Sequence, residues 1–341
     1  MSSPPGPVPT EAAPAVDTPF AGLSPDLILD AVDAAGFRTT GGLLELNSYE
    51  NRVYQVELED GSFVVPKFYR PGRWTDAQIA EEHAFTAELR EHELPVVAPM
   101  ARDGQTLFTL QTFRYAVFPR QGGHAPNLED PDNLQVLART LARMHAIGQT
   151  HPFETRPSLS VDRLGVDSRA YVLEHQFVPD ELVRAYDSIT TDLLKRIAVQ
   201  LADMTRDTRI HGDCHPGNLL WRGDSPHFVD FDDCVNGPPM QDLWMLLSGE
   251  RSDREAQLGC IVEAYETFAD FDDAALRWIE PLRTLRIMHH AAWIARRWHD
   301  PAFPRAFPGF DSMRYWSAHV LALREQQAAL EEPPLRVIQA R

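Results

Sequence analysis

Asp213, Asn218 and Asp230 are the residues whose types and spacing can do chemistry together. Asp213 opens the run Asp213-Cys214-His215-Pro216-Gly217-Asn218, and a second acid follows in Phe228-Val229-Asp230. Leu219 to Trp221 and His227 to Val229 read as short strands, with Gly223-Asp224 as the turn between them. Folding the chain back at that turn sets Asn218 opposite Asp230, so two oxygen ligands converge at one end of a hairpin. Magnesium takes such a seat: one or two protein oxygens, completed by water and phosphate oxygens. Asp213 lies one loop away, where a carboxylate can take the proton of an incoming hydroxyl.

This block resembles the catalytic and metal loops of the protein-kinase-like superfamily, in its aminoglycoside and choline phosphotransferase branch. In that branch the H-R-D-x-x-x-x-N of protein kinases reads H-G-D-x-x-x-x-N, as His211-Gly212-Asp213 to Asn218 does. The later metal acid is followed by an apolar residue and an acid, as in Asp230-Phe231-Asp232. The resemblance implies ATP as co-substrate and magnesium as cofactor. Asp213 and Asp230 are then catalytic, with Asn218 and Asp230 as metal ligands. His211, Cys214, His215 and Cys234 offer a rival zinc set, since Cys/His clusters hold structural zinc. The adjacency of Cys214 and His215 makes joint chelation awkward, and no Cys-x-x-Cys pair is present.

The elements that must position these residues follow from periodicity. Ser24 is placed to cap a helix from Pro25 to Ala35. Strands are expected over 43–46, 52–58 and 63–69, the last two joined at Asp60-Gly61. A helix over 76–91, with Ile79, Phe85 and Leu89 along one side, precedes strands at 107–110 and 113–118. Leu134, Leu137, Leu141 and Met144 form the buried stripe of a helix over 133–147. Further helices are expected over 180–204, 253–271 and 274–298, and Pro333-Pro334 is expected to end the final helix of the chain. The expected class is α+β, a bilobal protein-kinase-like fold. A small antiparallel-sheet N-lobe with one main helix precedes a larger, mostly helical C-lobe. The divisions are a disordered leader at 1–22, a nucleotide-binding lobe at 23–118, a catalytic and substrate lobe at 119–332, and a mobile tail at 333–341.

Within the first lobe the resemblance narrows to the bacterial stress response kinases, which are serine/threonine protein kinases. Leu46 to Gln55, Lys67 to Pro71, Gln241 to Leu247 and Asp300 to Pro304 carry it. It implies nucleotide contact from Ser48, in the polar turn from Asn47 to Asn51, and from Lys67. There is no G-x-G-x-x-G loop, but a polar turn still offers backbone N–H groups and the Ser48 hydroxyl to a phosphate. Val64-Val65-Pro66-Lys67 stands where protein kinases have V-A-I-K. Pro66 removes a ladder donor, so the strand is expected to bulge or face solvent there. Glu82 is the best-placed partner for Lys67, and Glu81 the alternative. Asp242 is read as a structural acid bracing the catalytic loop, and His211 as packing beneath that loop.

Composition narrows the partners. The 341 residues are 43% hydrophobic, enough for a sizeable core. A net charge of −18 argues against nucleic acid, whose binding needs basic patches, and favours cationic substrates or a soluble, self-repelling surface. Three cysteines give no disulfide framework, which suits a cytoplasmic protein. No run approaches ~20 apolar residues, so no membrane span is expected. The leader lacks an apolar signal core, and a monomer is expected. Three readings compete for function. The full-length resemblance implies a serine/threonine protein kinase of stress response, able to phosphorylate itself. About eleven residues separate Asp230 from Asp242, too few for a long activation segment, which favours a small hydroxylated acceptor such as an amino alcohol or aminosugar. The third reading is a nucleotide-binding pseudokinase scaffold, against which the intact Lys67, Asp213, Asn218 and Asp230 set argues.

Overall fold

A computed structural model describes residues 19–338; residues 1–18, with most of the expected leader, lie outside the described residues. The first helix, α1 (Pro25–Ala34), starts where expected, with the Ser24 hydroxyl accepting from the Leu27 N–H. Strands β1 (Thr39–Glu45), β2 (Arg52–Leu58) and β3 (Phe63–Phe68) precede helix α2 (Asp76–Glu91). Then come β4 (Phe108–Leu110) and β5 (Phe113–Pro119), completing an antiparallel sheet in the order β1-β2-β3-β5-β4. One face of the sheet is covered by α1, where Ile28, Ala31 and Val32 meet Val56, Val64, Phe68 and Val117. Phe20, inside the stretch expected as leader, packs against this cluster with Arg52 and Arg70 over its ring.

Pro66 corrects one expectation. It sits in β3, a central strand, and pairs with Val117 of β5 without a bulge. The missing N–H is felt on the other side: β2 pairs with β3 at Val53–Lys67 and Val56–Val64, and the ladder lapses between. The pleat survives, so Lys67 keeps its inward direction.

Helix α2 is held by a reciprocal cap between Thr75 and Gln78 and buries Ile79, Glu82, Phe85 and Leu89. Two acids on successive residues therefore part company: Glu82 faces inward and Glu81 faces the surface.

The larger lobe begins with α3 (Pro131–Gly148), whose Leu134, Leu137, Leu141 and Met144 are all buried. A π-helical turn at Asp162–Val166 leads into α4 (Asp167–Glu174) and α5 (Asp180–Gln200). Strand β6 (Thr208–Ile210), hairpin β7 (Leu219–Arg222) with β8 (Ser225–Phe228), and β9 (Val235–Gly237) carry the catalytic segment. The pairing of β6 with β9 was not legible in the sequence, because three-residue strands leave no periodicity to read. After α6 (Met240–Trp244) and α7 (Arg251–Tyr265), the stretch expected as one helix from 274 divides. It is 3₁₀ at Asp273–Trp278 and then α8 (Ile279–Arg296). Helices α9 (Ala302–Ala306) and α10 (Met313–Ala329) finish the lobe.

The stretch expected as a mobile tail is docked as far as residue 338. Leu335 is buried, Arg251 donates to the carbonyls of Pro333 and Pro334, and the Arg336 N–H donates to Glu255. A side chain at Gly259 of α7 would collide with the Ile338 carbonyl, so the glycine admits the tail. Among the described residues, no helix is long and apolar enough to cross a membrane.

Candidate active site

The catalytic loop leaves β6 at Ile210 and turns sharply at Gly212, whose φ of +83° suits a residue without a Cβ. A Cβ at this position would also meet the Asp233 carbonyl oxygen. The turn is held from beneath by Asp242, which is fully buried in α6. One carboxylate oxygen accepts the His211 N–H at 2.9 Å and the other accepts the Gly212 N–H at 2.8 Å. His145 of α3 reaches the first of these oxygens at 3.1 Å. The His211 imidazole donates from Nε2 to the Val229 carbonyl (2.9 Å) and accepts the Asp213 N–H at Nδ1 (3.3 Å). This fixes its tautomer and occupies both nitrogens, as expected of a packing residue.

So braced, Asp213 presents its carboxyl to the cleft. His215 approaches it at 3.5 Å, and Arg286 of α8 pairs with it directly. Burial would raise its pKa, but the His215 hydrogen bond and the Arg286 guanidinium outweigh burial and hold it well below the usual carboxylate range. The group is ionised at any physiological pH.

Hairpin geometry brings the two oxygen ligands to one end. Leu219 pairs with Phe228, and the Val229 N–H donates to the Asn218 carbonyl at 3.0 Å. The Asn218 amide donates to the Asp213 carbonyl at 2.9 Å, and among the described residues no donor occupies its side-chain oxygen. Asp230 adopts the left-handed conformation (φ 58°, ψ 63°), uncommon for a non-glycine residue, and its side chain is half exposed. The hairpin is itself clamped to the first lobe. Phe228 donates to Pro95 and accepts from Val97, both at 2.9 Å.

Lys67 closes the arrangement from the sheet. Its ammonium lies 3.0 Å from Asp230, 3.2 Å from Asp232 and 3.7 Å from Glu82. Burial would depress its pKa, but these three carboxylates outweigh burial and hold it well above the ordinary value, so the charge is kept. Glu82, fully buried, is the α2 acid beside Lys67. Glu81 instead accepts the N–H groups of Glu154, Thr155 and Arg156. Ser48, Lys67, Asp213, Asn218 and Asp230 all line one cavity of about 730 Å³, with Val53, Val65, Phe118 and Leu220 among its apolar walls.

Several residues in and around this cavity gave no signal in the sequence. Arg73 pairs with Asp232 and, at 2.6 Å, with Asp233, while Arg156 donates to the Asp232 and Cys234 carbonyls and lies 3.5 Å from Glu82. Glu50, in the turn with Ser48, accepts from Trp293 at 2.6 Å and pairs with Arg297 at 2.5 Å and Arg70 at 3.1 Å. Arg52 and Arg70 also bind Asp300, so the turn is tied to the helical lobe. Among the described residues, no group of three or more His, Cys, Asp or Glu is arranged to hold a metal, and Cys214 and Cys234 are buried, free thiols.

Residues 43–282, more than half of the chain, match the phosphotransferase enzyme family. The chain belongs to that family. It is 44% identical over 318 residues to Stress response kinase A of Escherichia coli (strain K12), covering 93% of this chain and 97% of that protein. It is 43% identical, with the same coverage, to the serine/threonine protein kinase RdoA of Salmonella typhimurium (strain LT2). Among solved structures, the amicoumacin kinase hAmiN, in complex with AMP-PNP, Ca²⁺ and Ami, superposes with a TM-score of 0.71. It is 17% identical, with 91% of this chain and 94% of that one covered. A microcompartment-associated aminopropanol kinase gives 0.66 at 19% identity, covering 91% of this chain and 100% of that one. This phosphotransferase therefore has the protein-kinase-like fold and is an ATP-dependent kinase.

Proposed function

We propose that this phosphotransferase is a magnesium-dependent serine/threonine protein kinase of the stress response, and that it also phosphorylates itself. The observation that carries the reading is identity of 44% along nearly the whole chain to a protein named as a stress response kinase. The cavity supports it by gathering a lysine, a base and two oxygen ligands. Lys67 and the Ser48 turn steady the ATP phosphates. Asp213 accepts the hydroxyl proton of the acceptor while the braced loop holds it in line with the γ-phosphate. The unoccupied Asn218 side-chain oxygen and the cleft-facing Asp230 carboxylate form a hard, all-oxygen donor pair that fits magnesium. Bound there, magnesium would neutralise charge on the phosphate oxygens.

A small-molecule acceptor is the second reading. It is favoured by the segment from Asp230 to Asp242, which is taken up by a 3₁₀ turn, β9 and the start of α6 and leaves no room there for the long activation segment on which protein kinases seat a peptide. Labelled ATP given to the purified protein alone, and with a generic protein, choline and an aminoglycoside panel, separates the two. Self-labelling that maps to Ser2, Ser3, Thr10 or Thr18 is the expected result. Absent protein labelling together with rapid turnover of an amino alcohol or aminosugar would transfer the assignment to the second reading.

A further inference from the structure

A second cavity, of about 550 Å³, adjoins the first, and Arg286 and His290 wall both. Its lining includes Arg254, Arg283, Arg286, His290 and His319 and, among the described residues, no aspartate or glutamate. In a chain with 50 acidic and 32 basic residues, that is the reverse of the average surface. Arg283, Arg286 and His290 are three and four residues apart on α8, so they share one helix face. Burial pushes the His290 and His319 imidazoles down, so the positive charge here is that of the arginines, and it is only partly answered. Glu280 serves both Arg254 (3.2 Å) and Arg283 (3.4 Å), and Arg286 reaches away to Asp213. Arg283 is stacked over Trp244 at 5.3 Å, which orients its guanidinium without neutralising it.

We infer that the second cavity is an acceptor subsite for an acidic stretch of polypeptide. The acceptor serine or threonine reaches Asp213, and carboxylates beside it in the same segment occupy Arg254 and Arg283. This rests on the protein-kinase reading and gives it a substrate class. An extended occupant is favoured over a small acid because the basic face continues past Arg286, beyond the reach of a molecule held at Asp213. Guanidinium forks suit carboxylates, which they bind through paired N–H donors. In the transfer, the acceptor oxygen bonds to the γ-phosphorus as the bond to the β,γ-bridging oxygen breaks. ADP leaves with that electron pair, and the hydroxyl proton goes to Asp213. Arg286 stands between the two cavities, so an acceptor carboxylate there competes with Asp213 for the guanidinium and frees the base as the substrate seats.

The test uses three fluorescent serine peptides, alike except for flanking glutamate, glutamine or lysine. Binding to the full chain is read by anisotropy, and phosphoryl transfer is read in parallel. The glutamate peptide should bind about tenfold more tightly than the glutamine peptide at low salt, with the gap closing as salt is raised. Arg254→Glu with Arg283→Glu should abolish that preference and improve binding of the lysine peptide, a gain that a misfolded protein cannot give. Equal binding of all three peptides, or a glutamate preference untouched by the double change, would overturn the subsite. So would glycerate accepting phosphate with a KM as low as that of the peptide. Charge-selective binding without transfer to any peptide would leave the cavity as an acidic-peptide binding site only, and would sink both its acceptor role and the protein-kinase reading. Transfer to all three without selectivity would overturn the subsite and uphold the protein-kinase reading.

Discussion

Asp242→Asn changes one atom in the floor of the active site, and its cost can be worked from the contacts. The carboxylate accepts three donors, His211 N–H, Gly212 N–H and His145 Nε2, and is fully buried. An amide keeps one acceptor oxygen and turns an NH₂ group toward at least one of these donors. The cheapest orientation spares the oxygen shared by His211 and His145 and sets the NH₂ against Gly212. One hydrogen bond to a charged acceptor is then lost, at about 1.5–3 kcal/mol, and a buried N–H is left unpaired. The expected loss of stability is roughly 2–4 kcal/mol, or a fall in Tm of about 3–6 °C for a chain of this length unfolding as one unit. Gly212 precedes Asp213, so the same substitution should misplace the base and lower kcat by about tenfold or more. Thermal melting and denaturant unfolding read the first effect, and steady-state transfer on the folded variant reads the second. A variant that melts within about 1 °C of the parent and keeps its kcat would refute the bracing argument.

Other perturbations separate the remaining roles. Asp213→Asn should leave nucleotide affinity near that of the parent and cut transfer by about 10²-fold or more; near-normal turnover would remove Asp213 from the base role. Asp230→Ala should abolish magnesium-dependent ATP binding in calorimetric titration, whereas Asn218→Ala should weaken it and raise the magnesium requirement. Unchanged affinity in Asp230→Ala would exclude it as a ligand. His83 is buried between the Tyr69 and Thr106 hydroxyls, both at 2.8 Å, and burial, with help from Lys67, pushes its pKa from 6.5 down to about 3. Between those values the unfolded chain binds a proton that the folded chain refuses, so stability falls as pH drops through that window, by roughly 1 kcal/mol per pH unit. His83→Gln should flatten this acid limb in denaturant titrations, and parallel curves for parent and variant would refute the assignment.

Asp213, Asn218 and Asp230 were legible in the sequence because their relation is local. A two-residue turn at Gly223-Asp224 closes a hairpin whatever the rest of the chain does, and closure alone brings residue 218 beside residue 229. Lys67 and Glu82 were legible for a similar reason, since one strand and the helix after it carry both. Even here the sequence left Glu81 and Glu82 as alternatives, and only the direction of α2 against the sheet separates them. The arginines were another matter. Arg73 on Asp232, Arg70 on Asp300 and Arg286 on Asp213 join residues 159, 230 and 73 positions apart, and a chain with 50 acids offers each guanidinium many equivalent partners. Net charge is silent about single sites in the same way. A total of −18 does not say that, among the described residues, the cavity beyond the base is lined by arginines without an acid. Total charge is a sum over the whole surface, whereas a ligand responds to the few charges within a Debye length of it. Which charges those are depends on how α8 packs against the catalytic loop, and tertiary structure alone decides that.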